Sequence, residues 1–319
     1  MSEREPLELR GVYDREELVR LITREVMARL GAASAGGTAF GAPAVHAESC
    51  CDTCGQGCGH CVAHRPATVR KMLEAGAERL STGPGIGSGH AGLASILDHT
   101  LLRPDATTKE IEALCDEATA YGFAAVCVNP WYVPLAARRL RGTDVGVASV
   151  IGFPLGATLP DVKEREAAQA VRDGARELDM VQNIGALKSK DYRLVEEDIR
   201  RVVTAAGAGV AVKVILETSL LTREEKIQAC TLARAAGAEF VKTSTGFSTG
   251  GATVDDVRLM RGVVGPEMGV KASGGVRDYA LARELIEAGA TRLGCSACVR
   301  IVTGEKGPVQ GAPARAGSY

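Results

Sequence analysis

The sequence predicts an α/β fold in which eight parallel strands, each followed by a helix, close into a barrel behind a smaller N-terminal extension. Three observations carry that expectation. From about Ala94, apolar runs of five to seven residues alternate with amphipathic stretches of ten to sixteen, the texture of a buried parallel sheet covered by helices. The runs number eight over about 210 residues: SILDHTLL, GFAAVCV, VGVASVIGF, RELDMVQN, GVAVKVILE, AEFVKTS, MGVKASG and TRLGCS. Polar groups collect at the ends of these runs, and no strand–GxGxxG–helix fingerprint recommends an open doubly wound sheet. The expected architecture is a (β/α)8 TIM barrel preceded by an amphipathic helix, a linker and a Cys-rich segment.

The elements follow in order. Residues 14–31 read as a helix: Asp14 caps it, Glu17 completes a capping box, and Gly31 stops it. Leu18, Val19, Ile22, Val26 and Leu30 recur at helical spacing and form one apolar stripe, with Glu16, Arg20, Thr23 and Arg24 opposite. Such a helix has no core of its own and must dock on something. Residues 1–31 form this docking unit, and residues 32–49, rich in Gly, Ala and Ser, form a flexible linker. Residues 50–90 hold the Cys-rich segment and a short helix. The barrel is expected over 91–304, and a flexible tail over 305–319.

Composition narrows the function. A net charge of −1 over 319 residues supplies no basic field for nucleic acid or an anionic membrane. No apolar stretch approaches the ~20 residues that cross a bilayer, and the N-terminus lacks the apolar core of a secretory signal. Of ten cysteines, Cys115, Cys127, Cys230, Cys295 and Cys298 lie in apolar contexts and read as reduced core thiols of a cytoplasmic protein. The others crowd together, with Cys51, Cys54, Cys58 and Cys61 forming two CxxC knuckles. Four thiolates suit zinc or an iron–sulfur cluster. The gap between the knuckles is tight for a zinc ribbon, which keeps a metal-free redox thiol cluster open as the rival.

Chemistry gathers at the strand ends. Lys242, in FVKTSTG, and Lys271, in VKASGGVR, each end an apolar run, where desolvating an ammonium is expensive. One such lysine alone would snorkel to solvent. Two converging at ~6 Å in an effective dielectric of ~20 repel by ~3 kcal/mol, and the relief is for one to lose its proton. A neutral buried amine attacks carbonyls. Asp98, Asp179 and Lys213 end or occupy neighbouring runs, where they fit either proton relay or a structural salt-bridge network. Gly274 and Gly275 after the seventh run, with Arg277 and with Ser296 after the eighth, make a candidate phosphate site.

These residues carry a resemblance. LDHTLLRPDAT, VCVNPWYVP, ELDMVQNIGALKS, KVILET, FVKTSTGF, VKASGGVRD and RLGCSA, in this order from about Ala94 to Val302, resemble the deoxyribose-phosphate aldolases, class I aldolases on a TIM barrel. The resemblance implies that Lys242 forms a Schiff base, that Lys271 tunes it, and that Asp179 works with a water in proton transfer. It implies further that Thr100, Cys127 and Lys213 line the site, and that Gly246, Gly274, Gly275, Arg277 and Ser296 hold the substrate phosphate. Ala297 stands where many family members carry a second serine. The chain ends in Tyr319, which resembles family tails whose terminal tyrosine reaches the site; an incidental tail residue is the other reading.

The implied reaction is reversible cleavage of 2-deoxyribose 5-phosphate to glyceraldehyde 3-phosphate and acetaldehyde, with no cofactor required. Another class I aldolase or transaldolase acting on a phosphorylated sugar, or an inactive metal-binding scaffold, are the alternatives. The stretch DREELVRLITREVMARL followed by a small-residue linker is similar to encapsulation peptides of bacterial microcompartments, which implies shell proteins as partners of residues 14–31 and a location inside such a compartment. Packing of that helix on the barrel or on another subunit is the competing expectation. A homodimer or larger assembly is the expected oligomeric state.

Overall fold

A computed structural model describes residues 23–24 and 91–304. The linker, the Cys-rich segment with Cys51, Cys54, Cys58 and Cys61, the tail with Tyr319, and all but Thr23 and Arg24 of the proposed docking helix lie outside them. No helix among the described residues is long and apolar enough to cross a membrane.

Eight strands run in chain order: β1 (Leu97–Leu101), β2 (Ala125–Val128), β3 (Gly146–Ile151), β4 (Glu177–Val181), β5 (Ala211–Ile215), β6 (Phe240–Lys242), β7 (Gly269–Ser273) and β8 (Arg292–Cys295). Every neighbouring pair is parallel, and β1 pairs β8, so the sheet closes as the sequence predicts. The helices are α1 (Ala91–Ala94), α2 (Thr108–Tyr121), α3 (Val133–Arg139), α4 (Pro160–Arg172), α5 (Ile184–Lys188), α6 (Tyr192–Ala206), α7 (Arg223–Ala235), α8 (Val254–Val264), α9 (Tyr279–Glu287) and α10 (Cys298–Thr303). Their starts are written locally. Thr107 with Glu110 and Thr222 with Glu225 form capping boxes, while Asp191, Thr253 and Asp278 accept from first-turn amides.

The apolar core lies between the outer face of the sheet and the helices, where Val126, Val128, Ile151, Leu178, Val214, Val241 and Val270 meet Ile111, Ile199, Met260 and Leu285. A smaller apolar cluster of Leu102, Cys127, Ala148 and Val150 stands apart from it. The remaining interior of the barrel is charged, with Asp98, Asp179, Lys213 and Lys271 wholly buried. Burying four ionisable side chains is costly unless each is paired, so this interior is where function is to be sought.

Candidate active site

Register builds the site. Lys242 and Lys271 are direct Cα partners on adjacent parallel strands, as are Asp179 and Lys213, and Lys271 and Arg292. The sequence expectation put most of these groups at strand ends. Only Lys242 ends its strand; Asp179, Lys213 and Lys271 are the middle residues of β4, β5 and β7, and Asp98 is the second residue of β1. The apolar run as read from sequence is longer than the hydrogen-bonded strand within it, which shifts the apparent end.

Asp179 is the hub. One of its carboxylate oxygens accepts from Lys242 Nζ at 2.7 Å and from Lys271 Nζ at 2.6 Å, while the other accepts from Lys213 Nζ at 2.9 Å. Lys271 also pairs with Asp98, whose second oxygen takes Arg292 at 2.8 Å. Lys213 also pairs with Glu177, which takes Arg292 at 2.9 Å, and lies 4.0 Å from Asp98. Gly294 makes this packing possible: a Cβ there would stand 3.0 Å from Lys271 Cε and 3.1 Å from Ser273 Cβ.

Four cations thus face three carboxylates, and the surplus falls on Lys242. Among the described residues, Lys271, Lys213 and Arg292 each touch two or more carboxylates, while Lys242 touches Asp179 alone. Burial pushes the Lys242 pKa below its ordinary value, the Lys271 ammonium adds to that push, and Asp179 opposes it. Burial works against charge on Lys271 too, but Asp179 and Asp98 outweigh it and hold the ammonium above its ordinary range. Asp179 is likewise desolvated, yet Lys213, Lys242 and Lys271 drive it well below the carboxylate norm. The sequence reading is amended in one respect. Repulsion between the lysines is present, but burial is the first cause at Lys242.

Lys242 opens onto a cavity at the C-terminal ends of the strands. Thr100, Arg103, Thr245, Gly246, Phe247, the Ser273–Arg277 loop and Gly294–Ser296 line it. The candidate phosphate residues Gly246, Gly274, Gly275, Arg277 and Ser296 are therefore brought together with Thr100 and Lys242. Asp98, Cys127 and Lys213 are not among the lining residues. Lys213 and Asp98 hold Asp179 and Lys271 from within the barrel, and the Cys127 thiol, raised to about 11 by burial, sits 3.9 Å from Asp179. Lys213 and Cys127 thus stand beneath the cavity, against Asp179, while Lys242 ends its strand at the lining. Sequence reasoning missed Glu177 and Arg292, which complete the network. Their signal was available: a charged residue, Glu177 or Arg292, next to the start of each of two of the quoted runs.

The cysteines need a second correction. Cys115, Cys127 and Cys230 are free and buried, as expected, but Cys295 and Cys298 form a disulfide around Ser296. A spacing of three carries Cys298 from the end of β8 into α10, back within reach of Cys295. No group of three or more His, Cys, Asp or Glu side chains among the described residues could hold a metal ion.

Fold and site together define a TIM-barrel enzyme with a buried lysine–carboxylate cluster beneath a glycine-rimmed cavity. The pattern of the DeoC/LacD family aldolases matches residues 93–303, and the chain belongs to that family. It is 61% identical over 214 residues to the deoxyribose-phosphate aldolase of Streptococcus sanguinis, covering 67% of this chain and 97% of that one. It is 63% identical over 215 residues to that of Thermococcus kodakarensis, covering 66% and 96%. Among solved structures, the tetrameric deoxyribose phosphate aldolase of Aeropyrum pernix superposes with a TM-score of 0.64 at 36% identity, covering 73% of this chain and 96% of that one.

Proposed function

We propose that the barrel is a class I aldolase that cleaves 2-deoxyribose 5-phosphate reversibly to glyceraldehyde 3-phosphate and acetaldehyde. The observation that carries this reading is the single oxygen of Asp179 shared by Lys242 and Lys271 at the floor of a glycine-rimmed cavity. Relatives at about 60% identity over the barrel bear the same activity in their names.

Lys242, the least supported base of the cluster, attacks the C1 aldehyde of the open-chain sugar. Loss of water from the carbinolamine leaves an iminium, whose charge draws electrons from the C2–C3 bond as the C3 hydroxyl gives up its proton. Glyceraldehyde 3-phosphate departs, the enamine takes a proton at C2, and water releases acetaldehyde from Lys242. The iminium is itself the electron sink. Asp179, held anionic by its lysines, favours the iminium electrostatically and passes protons through a bound water. Lys271 stays charged and keeps Lys242 available as the amine. Asp98 and Lys213 hold this pair in place, Thr100 and Cys127 border the reacting end, and the Gly246, Gly274–Gly275, Arg277 and Ser296 backbone and side chains receive the phosphate. Tyr319 would deliver the C2 proton from the tail. Ala297, in place of a second serine, leaves that loop one hydroxyl donor short.

K242L should abolish cleavage while wild-type protein, treated with acetaldehyde and borohydride, gains an ethyl group on the Lys242 peptide. Turnover by K242L, or an adduct on another lysine, would reject the assignment. Y319F should slow exchange of the acetaldehyde methyl protons with solvent, and an unchanged exchange rate would free the tail from any role.

The finer context rests on sequence. Residues 14–31 would dock the enzyme on shell proteins of a microcompartment, which would retain the volatile acetaldehyde, and the Cys51, Cys54, Cys58 and Cys61 knuckles would hold zinc or an iron–sulfur cluster or act as redox thiols. Removing residues 1–31 should release the protein from purified shells without loss of kcat, and metal analysis of the purified chain reads the cluster directly. A homo-oligomer is supported by the exposed Leu155 and Leu159 on the loop before α4, 75% and 67% accessible, and sedimentation measures it.

A further inference from the structure

Glu217 lies just beyond β5 and is only 2% exposed, yet nothing in the proposed chemistry uses it. Its backbone is left-handed, with φ 57° and ψ 62°, a conformation uphill for any residue with a Cβ. One oxygen of its carboxylate accepts both donors of Thr245: the backbone N–H at 3.2 Å and the hydroxyl. The other oxygen is buried without a hydrogen-bond partner. Because the Thr245 hydroxyl gives its proton to Glu217, its lone pair is left to accept the Phe247 N–H at 3.1 Å. Thr245, Gly246 and Phe247 all line the cavity; Glu217 does not.

The turn so fixed is the one whose backbone must meet the substrate. A Cβ at Gly246, whose φ is 85°, would stand 4.0 Å from Gly274 Cα, and the same loop continues to Ala252, whose N–H binds the Gly274 carbonyl at 2.9 Å. The loop after β5 also presses on it: a Cβ at Gly250 would stand 2.7 Å from Ser219 Cβ. A chain of contacts therefore runs from Glu217 through Thr245 to the two glycine turns at the cavity's anion-binding end.

We propose that Glu217 is a positioning residue for the phosphate end of the substrate, holding the Thr245–Phe247 turn so that the Gly246 and Gly274 backbones keep their anion-binding geometry. The proposal rests on the phosphorylated-sugar reading above. Burial raises the carboxyl's pKa, which lessens its repulsion of a nearby phosphate. A neutral amide that keeps an accepting oxygen should therefore serve almost as well. Removing the oxygen strands the Thr245 N–H and lets the turn relax.

The test uses the full chain, with E217A, E217Q and T245V beside wild type. In E217A and T245V the KM for 2-deoxyribose 5-phosphate should rise about tenfold, while kcat/KM for unphosphorylated 2-deoxyribose stays within about twofold. Calorimetric binding of inorganic phosphate should weaken by the same about tenfold, and E217Q should recover to within about threefold. Should E217A not fold, T245V, which loses one hydroxyl from an otherwise similar shape, gives the same readouts. Unchanged phosphate binding in T245V and E217A, or equal losses for both sugars, would overturn the proposal. Borohydride trapping on Lys242 is measured in parallel. Its absence in wild type would defeat the aldolase reading, while phosphate calorimetry would still decide the role of Glu217.

Discussion

At the scale of single residues, the site is set by an imbalance of charge. Lys242 has one carboxylate where its neighbours have two or more, so it carries the weakest claim to a proton. Lys271 matters through its ammonium, which repels a second charge on Lys242 and occupies Asp179. Replacing it by leucine removes that repulsion and frees Asp179 to hold the Lys242 ammonium, and both effects raise the Lys242 pKa. Since only the neutral amine reacts, the rate of borohydride-trapped adduct formation rises with pH through that pKa. The acid limb of K271L should accordingly lie at higher pH than that of wild type. An unmoved or acid-shifted limb would show that burial alone sets the amine. Sequence made the two lysines conspicuous, since ionisable residues in apolar runs have few bland explanations. Their partners were harder to see. Asp179 and Asp98 share a cluster with Lys271 across gaps of 92 and 173 residues, a proximity that only closure of the barrel creates.

At the scale of elements, helix starts were legible and helix-to-helix ties were not. The Thr107–Glu110 box is a local pattern, and T107A should cost about 1 kcal/mol in denaturant unfolding with no change in kcat. The tie between α4 and α6 is of another kind. Lys163 Nζ, wholly buried, donates to Asp198 at 2.5 Å and to the Val181 carbonyl at the end of β4 at 2.9 Å. Burial lowers the Lys163 pKa and raises that of Asp198, each opposed by the partner's charge. Removing one partner leaves the other buried and uncompensated, so K163M should destabilise the fold by about 3–5 kcal/mol. K163M/D198L removes both charges and should recover much of that loss. If the double variant unfolds as easily as the single, the pair contributes attraction rather than merely cancelling its own desolvation. Nothing in the sequence links a lysine and an aspartate 35 residues apart on two amphipathic helices.

At the scale of the molecule, closure makes the barrel self-sufficient. Strand β1 pairs β8 in the register Asp98↔Gly294, so every strand has two neighbours and no edge waits for another segment. That outcome was legible because eight evenly spaced apolar runs admit few other arrangements, whereas strand lengths, which decide that Lys242 ends its strand while Lys271 does not, depend on hydrogen bonding that composition does not encode. The family match begins at residue 93, and the deoxyribose-phosphate aldolase of Streptococcus sanguinis is covered over 97% of its length by an alignment of 214 residues. Among the described residues, the charged network, the cavity and both glycine turns draw on positions 98–296. A chain beginning at Ser88, which keeps Leu93 and Ala94 in the core, should therefore fold and cleave 2-deoxyribose 5-phosphate with kcat/KM within about threefold of the full chain. Steady-state kinetics and thermal unfolding of the two forms check this. A loss beyond about tenfold with unchanged melting would mean that the N-terminal segment reaches the active site, and the division of labour between barrel and extension would have to be redrawn.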